Sequence, residues 1–312
     1  MDLRYLEYIV EIANQHSISR AADRLFITQS NLSQYLSRLE EELGTKLFDR
    51  RRNDMTLTTA GTLYVDTCRD MLLKKQDLYN QISDIAQAKT GNFSVGITPQ
   101  WGAAAFSRII GPFKRAYPNI QVSVLEETAE PLTYALLDNR IDMAIIPLAS
   151  PSALPQNGIM LAVEELLLAI PKAHVESLNL LLHYIEGEFP TVDIGALAQE
   201  PFIFSQSGTT IRKLENICFS SKHIFPNIIA EINSHPASLF MVEEQLGATF
   251  VPVSCAAASD KIQYAHVSPS VQWFVAIAFR KGFIPRQSEE YFIQLAQKFY
   301  NNSFHDMAMP EL

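Results

Sequence analysis

Residues 17–39 limit what this chain can become more than any other stretch. Ser17-Ile-Ser-Arg-Ala-Ala-Asp-Arg-Leu25 leads through Phe26 and Ile27 into Thr28-Gln-Ser-Asn-Leu-Ser-Gln-Tyr-Leu-Ser-Arg-Leu39, so two short amphipathic helices abut. In the first, Ala21, Ala22 and Leu25 share one face, and Ser17 or Ser19 supplies the N-cap. In the second, Thr28 is the cap, and Leu32, Tyr35 or Leu36, and Leu39 form the inward stripe. Gln29, Ser30, Asn31, Ser33, Gln34 and Arg38 are left on or beside the outward face. Amides pair bidentately with adenine, Arg with guanine and small hydroxyls with either, so this face has the chemistry to read a major groove. Taken alone, the segment is better read as an ordinary helix pair with a solvated polar face.

Its surroundings change that balance. Gly44-Thr-Lys-Leu-Phe-Asp-Arg-Arg-Arg-Asn-Asp-Met-Thr-Leu57 reads as a strand, a tight basic turn and a second strand. Leu47, Phe48, Met55 and Leu57 can return to a core while Arg50, Arg51 and Arg52 project from the tip toward phosphates or a minor groove. The order of features resembles a LysR-type transcriptional regulator. Phe-Ile-Thr-Gln-Ser at 26–30, Leu-Glu-Glu-Glu-Leu-Gly at 39–44, Leu-Phe-Asp-Arg at 47–50 and Leu-Thr-Thr-Ala-Gly at 57–61 carry the likeness. With Ser19, Arg20 and Thr28 added to the outward-facing residues and the three arginines, these positions make the candidate DNA-binding set.

At 312 residues the chain has room for two or three domains. No apolar run is long enough to span a bilayer, and the N-terminus lacks the basic-then-apolar pattern of a secretion signal, so a cytoplasmic location and no membrane partner are expected. The net charge of −9 argues at first against nucleic acid, but its distribution does not. Residues 1–90 hold 12 Lys and Arg against 13 Asp and Glu, so nearly all the acidity lies beyond them. Positive charge near the N-terminus is therefore local, at Arg20, Arg24, Arg38, Lys46 and Arg50 to Arg52. Cys68, Cys218 and Cys255 form no local pair and read as small buried hydrophobes. A redox pair between Cys218 and Cys255 would require exposed thiols of low pKa.

From 58 to 89 there is no proline, and the only glycine is Gly61 in the first turn. Tyr64, Cys68, Met71, Lys75, Leu78, Ile82 and Ile85 recur at four- and three-residue steps, the spacing of a coiled-coil seam. A helix of this length extends roughly 45 Å at 1.5 Å per residue. Its narrow stripe favours a partner helix over packing on its own domain. The resemblance implies a linker and dimerisation helix, hence a homodimer or homotetramer on an inverted-repeat double-stranded site with half-sites about one turn apart. RNA polymerase is a further partner consistent with such a regulator.

Beyond residue 90, strands and helices alternate. Strands are expected at 92–98, 120–126 and 142–146 with helices at 103–117 and 131–139. The alternation restarts with strands at 201–204, 228–232 and 248–253 and helices at 209–219 and 236–246. Repeated βαβ units imply mostly parallel sheets in two subdomains. The chain is expected to cross between them near 161–164 and 264–268, and then to return through a strand at 271–279 and a helix at 288–300. The stretch 176–190 is longer and more apolar than the resembling family's connection.

The organisation expected is a winged helix-turn-helix over 1–58 and a linker helix over 59–90. An α/β effector-binding domain over 91–305, similar to periplasmic solute-binding proteins, follows. Its subdomain I comprises 91–162 and 268–305, and subdomain II comprises 163–267. Ligands in such sheets sit at strand carboxyl ends beside helix N-termini. The loops at Thr98, Gln100 and Trp101, at Thr128, and at Ser205, Ser207 and Thr209 meet that description. The resemblance implies that Thr98, Gln100 and Thr128 hold a small effector, with the residues around 205–209 facing them across the cleft. Hydroxyls beside helix N-termini suit an anion, and Trp101 and Phe204 can add an aromatic wall, although each Ser or Thr taken singly can be only a cap. Arg212 can face a second carboxylate or lie outward.

Catalysis finds little support. There is no nucleophile elbow, P-loop or dinucleotide-binding glycine pattern, and the seven histidines show no metal-ligand spacing. Neither a cofactor nor a metal is expected. The chain reads as a ligand-responsive transcriptional regulator, not an enzyme. The rival is a cytoplasmic solute-binding or enzymatic α/β protein whose N-terminal module serves assembly.

Overall fold

Leu6, Ile9 and Ala13 recur at helical spacing, and with Ile12 they put a buried stripe on α1 (Arg4–Gln15). The computed structural model describes residues 4–51, 54–85, 90–185 and 188–305. The chain divides into two units, the first essentially residues 1–92. In that unit α1 is followed by α2 (Ile18–Arg24), α3 (Gln29–Leu43), the antiparallel hairpin β1 (Phe48–Arg51) and β2 (Asp54–Leu57), and α4 (Thr59–Ile85). Ile9, Ile12, Ala21, Ala22, Leu32, Leu36, Leu47, Phe48, Met55 and Val65 form one core, so every element contributes an apolar face to it. Leu36 takes the fully buried place in α3. Tyr35 is half-buried, stacked on Tyr5 with centroids 4.8 Å apart, and burial followed by the nearby Tyr64 pushes its hydroxyl up to about 12.

The stripe on α4 splits into two parts. Cys68 is buried and Tyr64 packs on the core of its own unit, rather than both facing a partner helix as the spacing suggested. Lys75 is engaged by Glu7 at 3.6 Å. Farther along, Leu78 and Ile82 are 54% and 53% exposed, an apolar surface that the described residues of the unit leave uncovered. The expected continuation over 86–89 lies outside the described residues.

The second unit opens with β3 (Gly91–Ile97), α5 (Trp101–Ala116), β4 (Ile120–Glu126), α6 (Ala129–Leu137) and β5 (Met143–Leu148). It continues through β6 (Ile159–Pro171), α7 (Lys172–Ser177), β7 (Thr191–Asp193), β8 (Pro201–Phe204), α8 (Thr210–Ser221) and β9 (Asn227–Glu231). It closes with α9 (His235–Glu243), β10 (Thr249–Pro252), β11 (Ile262–Ser268), β12 (Gln272–Phe279) and α10 (Gln287–His305). The main sheet runs β4-β3-β5-β12-β6-β11-β7, with β10 also on β6. β3 with β5, β8 with β9, and β11 with β7 are parallel.

The expectation of mostly parallel sheets needs correction, because β12 is antiparallel to both β5 and β6, and β6 is antiparallel to β10 and β11. The cause is β6, a 13-residue strand whose first half pairs with β12 and whose second half lies between β10 and β11. The crossing expected at 161–164 is one continuous strand, and the chain returns antiparallel beside it. Leu166, Leu167, Leu168, Ala169 and Ile170 are all wholly buried. A strand covered on both faces shows no alternation, which hid it from a period-two reading. Between α7 and β7, His183 bridges Thr191 in antiparallel fashion.

Candidate functional site

The first unit presents a polar helix face. Thr28 caps α3, its hydroxyl accepting the Asn31 N–H at 3.3 Å, and Ser17 caps α2 by accepting from the Arg20 N–H at 3.4 Å. With Leu32, Leu36 and Leu39 turned inward, Gln29, Ser30, Asn31, Gln34 and Arg38 are exposed and Ser33 is half-buried. Ser19 and Arg20 are exposed on α2. Arg50 and Arg51 lie on β1, opposite Met55 and Asp54. Arg52 lies outside the described residues.

Two contacts explain why family-like signatures flank this face. Glu40, on the buried side of α3, accepts the N–H groups of Leu47 at 2.9 Å and Phe48 at 3.3 Å and pairs with Lys46 at 2.7 Å. It ties the end of the helix to the first strand of the hairpin, and it draws Lys46 away from the charges expected to be free. Thr58 donates to the Lys46 carbonyl at 2.7 Å and accepts from the Gly61 N–H at 2.9 Å. A Cβ on Gly61 would lie 1.9 Å from the Leu47 carbonyl oxygen, so only glycine lets α4 start this close to the hairpin.

In the second unit a small cavity of about 60 Å3 is lined by Thr98, Gln100, Trp101, Thr128, Thr209 and, beside them, Trp273. α5, α6, α8 and α9 all begin at its wall, where Trp101, Ala129, Thr210 and His235 are their first residues. First-turn N–H groups carry the positive end of the helix dipole, which favours an anion, although in α9 Gln100 takes the His235 N–H, Pro236 has none and Ser234 takes that of Ala237, and in α8 Thr209 takes that of Arg212. Among the described residues the Thr98 and Thr128 side-chain hydroxyls have no hydrogen-bond partner. The walls are also bonded to each other. Gln100 donates to the Asn233 carbonyl and accepts the His235 N–H at 3.4 Å, and Thr210 donates to the Pro147 carbonyl at 3.3 Å. Trp101 meets Trp273 edge-on at 6.1 Å, and Trp273 donates its indole N–H to buried Glu164 at 3.0 Å. Burial raises the Glu164 pKa, opposed by bonds from Ser254 and Trp273. Burial also pushes His235 down to about 4, so its ring is neutral near pH 7.

Five of the seven expected effector residues line the cavity, and two do not. Ser205 is turned inward, giving both its N–H at 3.1 Å and its hydroxyl at 3.1 Å to Glu215, while Ser207 is exposed on the turn. Thr209 caps α8 by accepting from the Arg212 N–H at 3.2 Å. Arg212 pairs with Glu231 at 2.8 Å and lies over the Phe204 ring, so it is not aimed at a ligand. Phe204 belongs to an aromatic core with Phe202 and Phe219, and Trp273 takes the wall position expected of it. Thr210, Asn233, His235 and Trp273 were missed because long sequence separations hide their approach. The thiols also depart from the redox reading: burial pushes Cys218 up to about 11 and Cys255 up to about 12, opposite to a reactive thiolate.

A helix-turn-helix unit with an exposed amide-rich helix, followed by an α/β unit with a cavity at its helix N-termini, defines a DNA-binding regulator with a small-molecule domain. Residues 3–62 match the family of bacterial regulatory helix-turn-helix proteins, lysR family, and residues 86–300 match the LysR substrate binding domain. The chain belongs to the LysR family of transcriptional regulators, which are not enzymes. It is 25% identical to the uncharacterised HTH-type transcriptional regulator YcgK of Bacillus subtilis, over 98% of this chain and 97% of that protein. It is 30% identical to a probable RuBisCO transcriptional regulator of Trieres chinensis, over 81% of each. A full-length OxyR variant from Pseudomonas aeruginosa shares the fold with a TM-score of 0.66 at 22% identity, covering 96% of this chain and 95% of that one. Among the described residues no helix is long and apolar enough to cross a membrane.

Proposed function

We propose that this regulator works in the cytoplasm as a homodimer or higher assembly. In this reading it docks α3 on an inverted-repeat DNA site and changes its DNA-bound arrangement when a small anion enters the cavity. Gln29, Ser30, Asn31, Ser33, Gln34 and Arg38 contact base edges or adjacent phosphates. Thr28, Ser19, Arg20 and Arg50 to Arg52 contact the backbone or minor groove. Thr98, Gln100, Trp101, Thr128 and Thr209 hold the effector. Such a ligand acts only through a difference in affinity for two arrangements.

The observation that carries the reading is the pair of uncommitted Thr98 and Thr128 hydroxyls at a wall where four helices begin. Selection of genomic fragments by the protein, followed by salt-dependent shift assays on the retained sites, is the test of DNA reading. Gln29→Ala should lower specific binding by about 1–3 kcal/mol while sparing most of the salt-sensitive background. Equal losses on specific and random DNA would refute base readout. Thr128→Val removes a donor at nearly constant volume and should weaken the effector alone.

A further inference from the structure

The cavity has a size and charge that narrow its ligand. At about 60 Å3 it is well below the roughly 300–1,000 Å3 of sites for drug-sized molecules. None of its lining residues is Asp, Glu, Lys or Arg. The nearest cation argued for from sequence, Arg212, is already paired with Glu231. One negative charge can be met here by hydroxyls and helix N-termini. A second would find no counter-ion among the lining residues.

Gln100 joins two sides of the cavity. It sits at φ 64 and ψ −83, left-handed backbone that is costly for a residue with a Cβ, and its side chain does not cap α5. Its amide instead reaches the opposite wall, with its nitrogen on the Asn233 carbonyl and its oxygen on the His235 N–H. Both ends of the amide are thus used to join two segments far apart in sequence.

We infer that Gln100 is a size gate, and that the effector of this protein is a compact monoanion, a short carboxylate or a planar oxyanion, rather than an aromatic acid or a dicarboxylate. This rests on the reading of the cavity as the effector site. The gate amide narrows the mouth over a ligand held by Thr98 and Thr128, against the entry of a ring.

The test uses the full chain and four sodium salts, formate, acetate, benzoate and succinate, titrated by calorimetry at constant ionic strength. Intrinsic fluorescence serves as a second readout, because the chain has only two tryptophans and both line the cavity. Wild type should bind formate or acetate at least tenfold more tightly than benzoate or succinate. Gln100→Gly, which suits the left-handed backbone, and Gln100→Ala should each raise benzoate affinity relative to acetate tenfold or more. Benzoate or succinate binding wild type as tightly as acetate overturns the inference. So does continued exclusion of benzoate by both variants. If none of the salts binds wild type or variant, the anion reading of the cavity falls as well, whereas a wrong size ranking alone leaves that reading standing.

Discussion

Replacing Glu215 with Gln should change how the second unit's stability depends on pH. Glu215 is wholly buried, and it accepts the Ser205 N–H and hydroxyl at 3.1 Å each. Burial raises its pKa from 4.5 to about 7, outweighing the Ser205 bonds and the charge of Arg212. A carboxyl that holds its proton more tightly when folded stabilises the fold below pH 4.5, and this contribution is lost as pH rises through 7. At 1.36 kcal/mol per pH unit, the loss is about 3 kcal/mol. His235 acts in the opposite sense: its pKa falls from 6.5 to about 4 on burial, so its contribution is present above 6.5 and lost as pH falls toward 4. The two slopes oppose each other over 4.5–6.5, which flattens the wild-type profile. The informative quantity is therefore the difference between variant and wild type. Denaturant unfolding followed by tryptophan fluorescence reports this unit, since Trp101 and Trp273 both lie in it. Glu215→Gln should match wild type most closely near pH 4.5 and gain on it by about 3 kcal/mol by pH 8. A difference that stays constant from pH 4.5 to 8 would show that Glu215 ionises as an ordinary carboxylate, and that the Ser205 bonds and Arg212 fully offset burial.

Asp at both Leu78 and Ile82 should weaken self-association in sedimentation equilibrium, because charge would replace the exposed apolar end of α4; dimers as tight as wild type would place the interface elsewhere. Glu40→Ala should lower the thermal stability of the first unit by on the order of 1–3 kcal/mol for each N–H left unpaired at Leu47 and Phe48, with Glu40→Gln costing less, and equal melting of all three proteins would rule out the tie. Gly61→Ala should lower the melting temperature and weaken DNA binding by forcing α4 away from the Leu47 carbonyl, at a cost of about 1–3 kcal/mol, and unchanged values in both assays would refute the close approach.

What the amino-acid order determined by itself is local. The caps Ser17 and Thr28, the inward stripe of Leu32, Leu36 and Leu39, and the alternation of helices and strands depend on contacts within a few residues, where periodicity and hydrogen-bonding groups are explicit. The polar face of α3 follows directly, since burying one side of a helix leaves the other out. The first strand ends of the cavity were legible for a similar reason, because Thr98 and Thr128 each precede a helix. Tertiary structure decided everything that needed two distant segments at once. Glu40 could not be recognised as a buried tie until Leu47 and Phe48 folded back onto it. Ser205 read as a ligand donor until Glu215 took both its hydrogens, and Phe204 read as a wall until its ring joined Phe202 and Phe219. β6 escaped notice because burial on both faces erases the alternation that marks a strand. Gln100 gave no local sign of its reach to Asn233 and His235, more than 130 residues away, because a hydrogen bond across such a separation depends on how the sheets pack and not on the residues beside it.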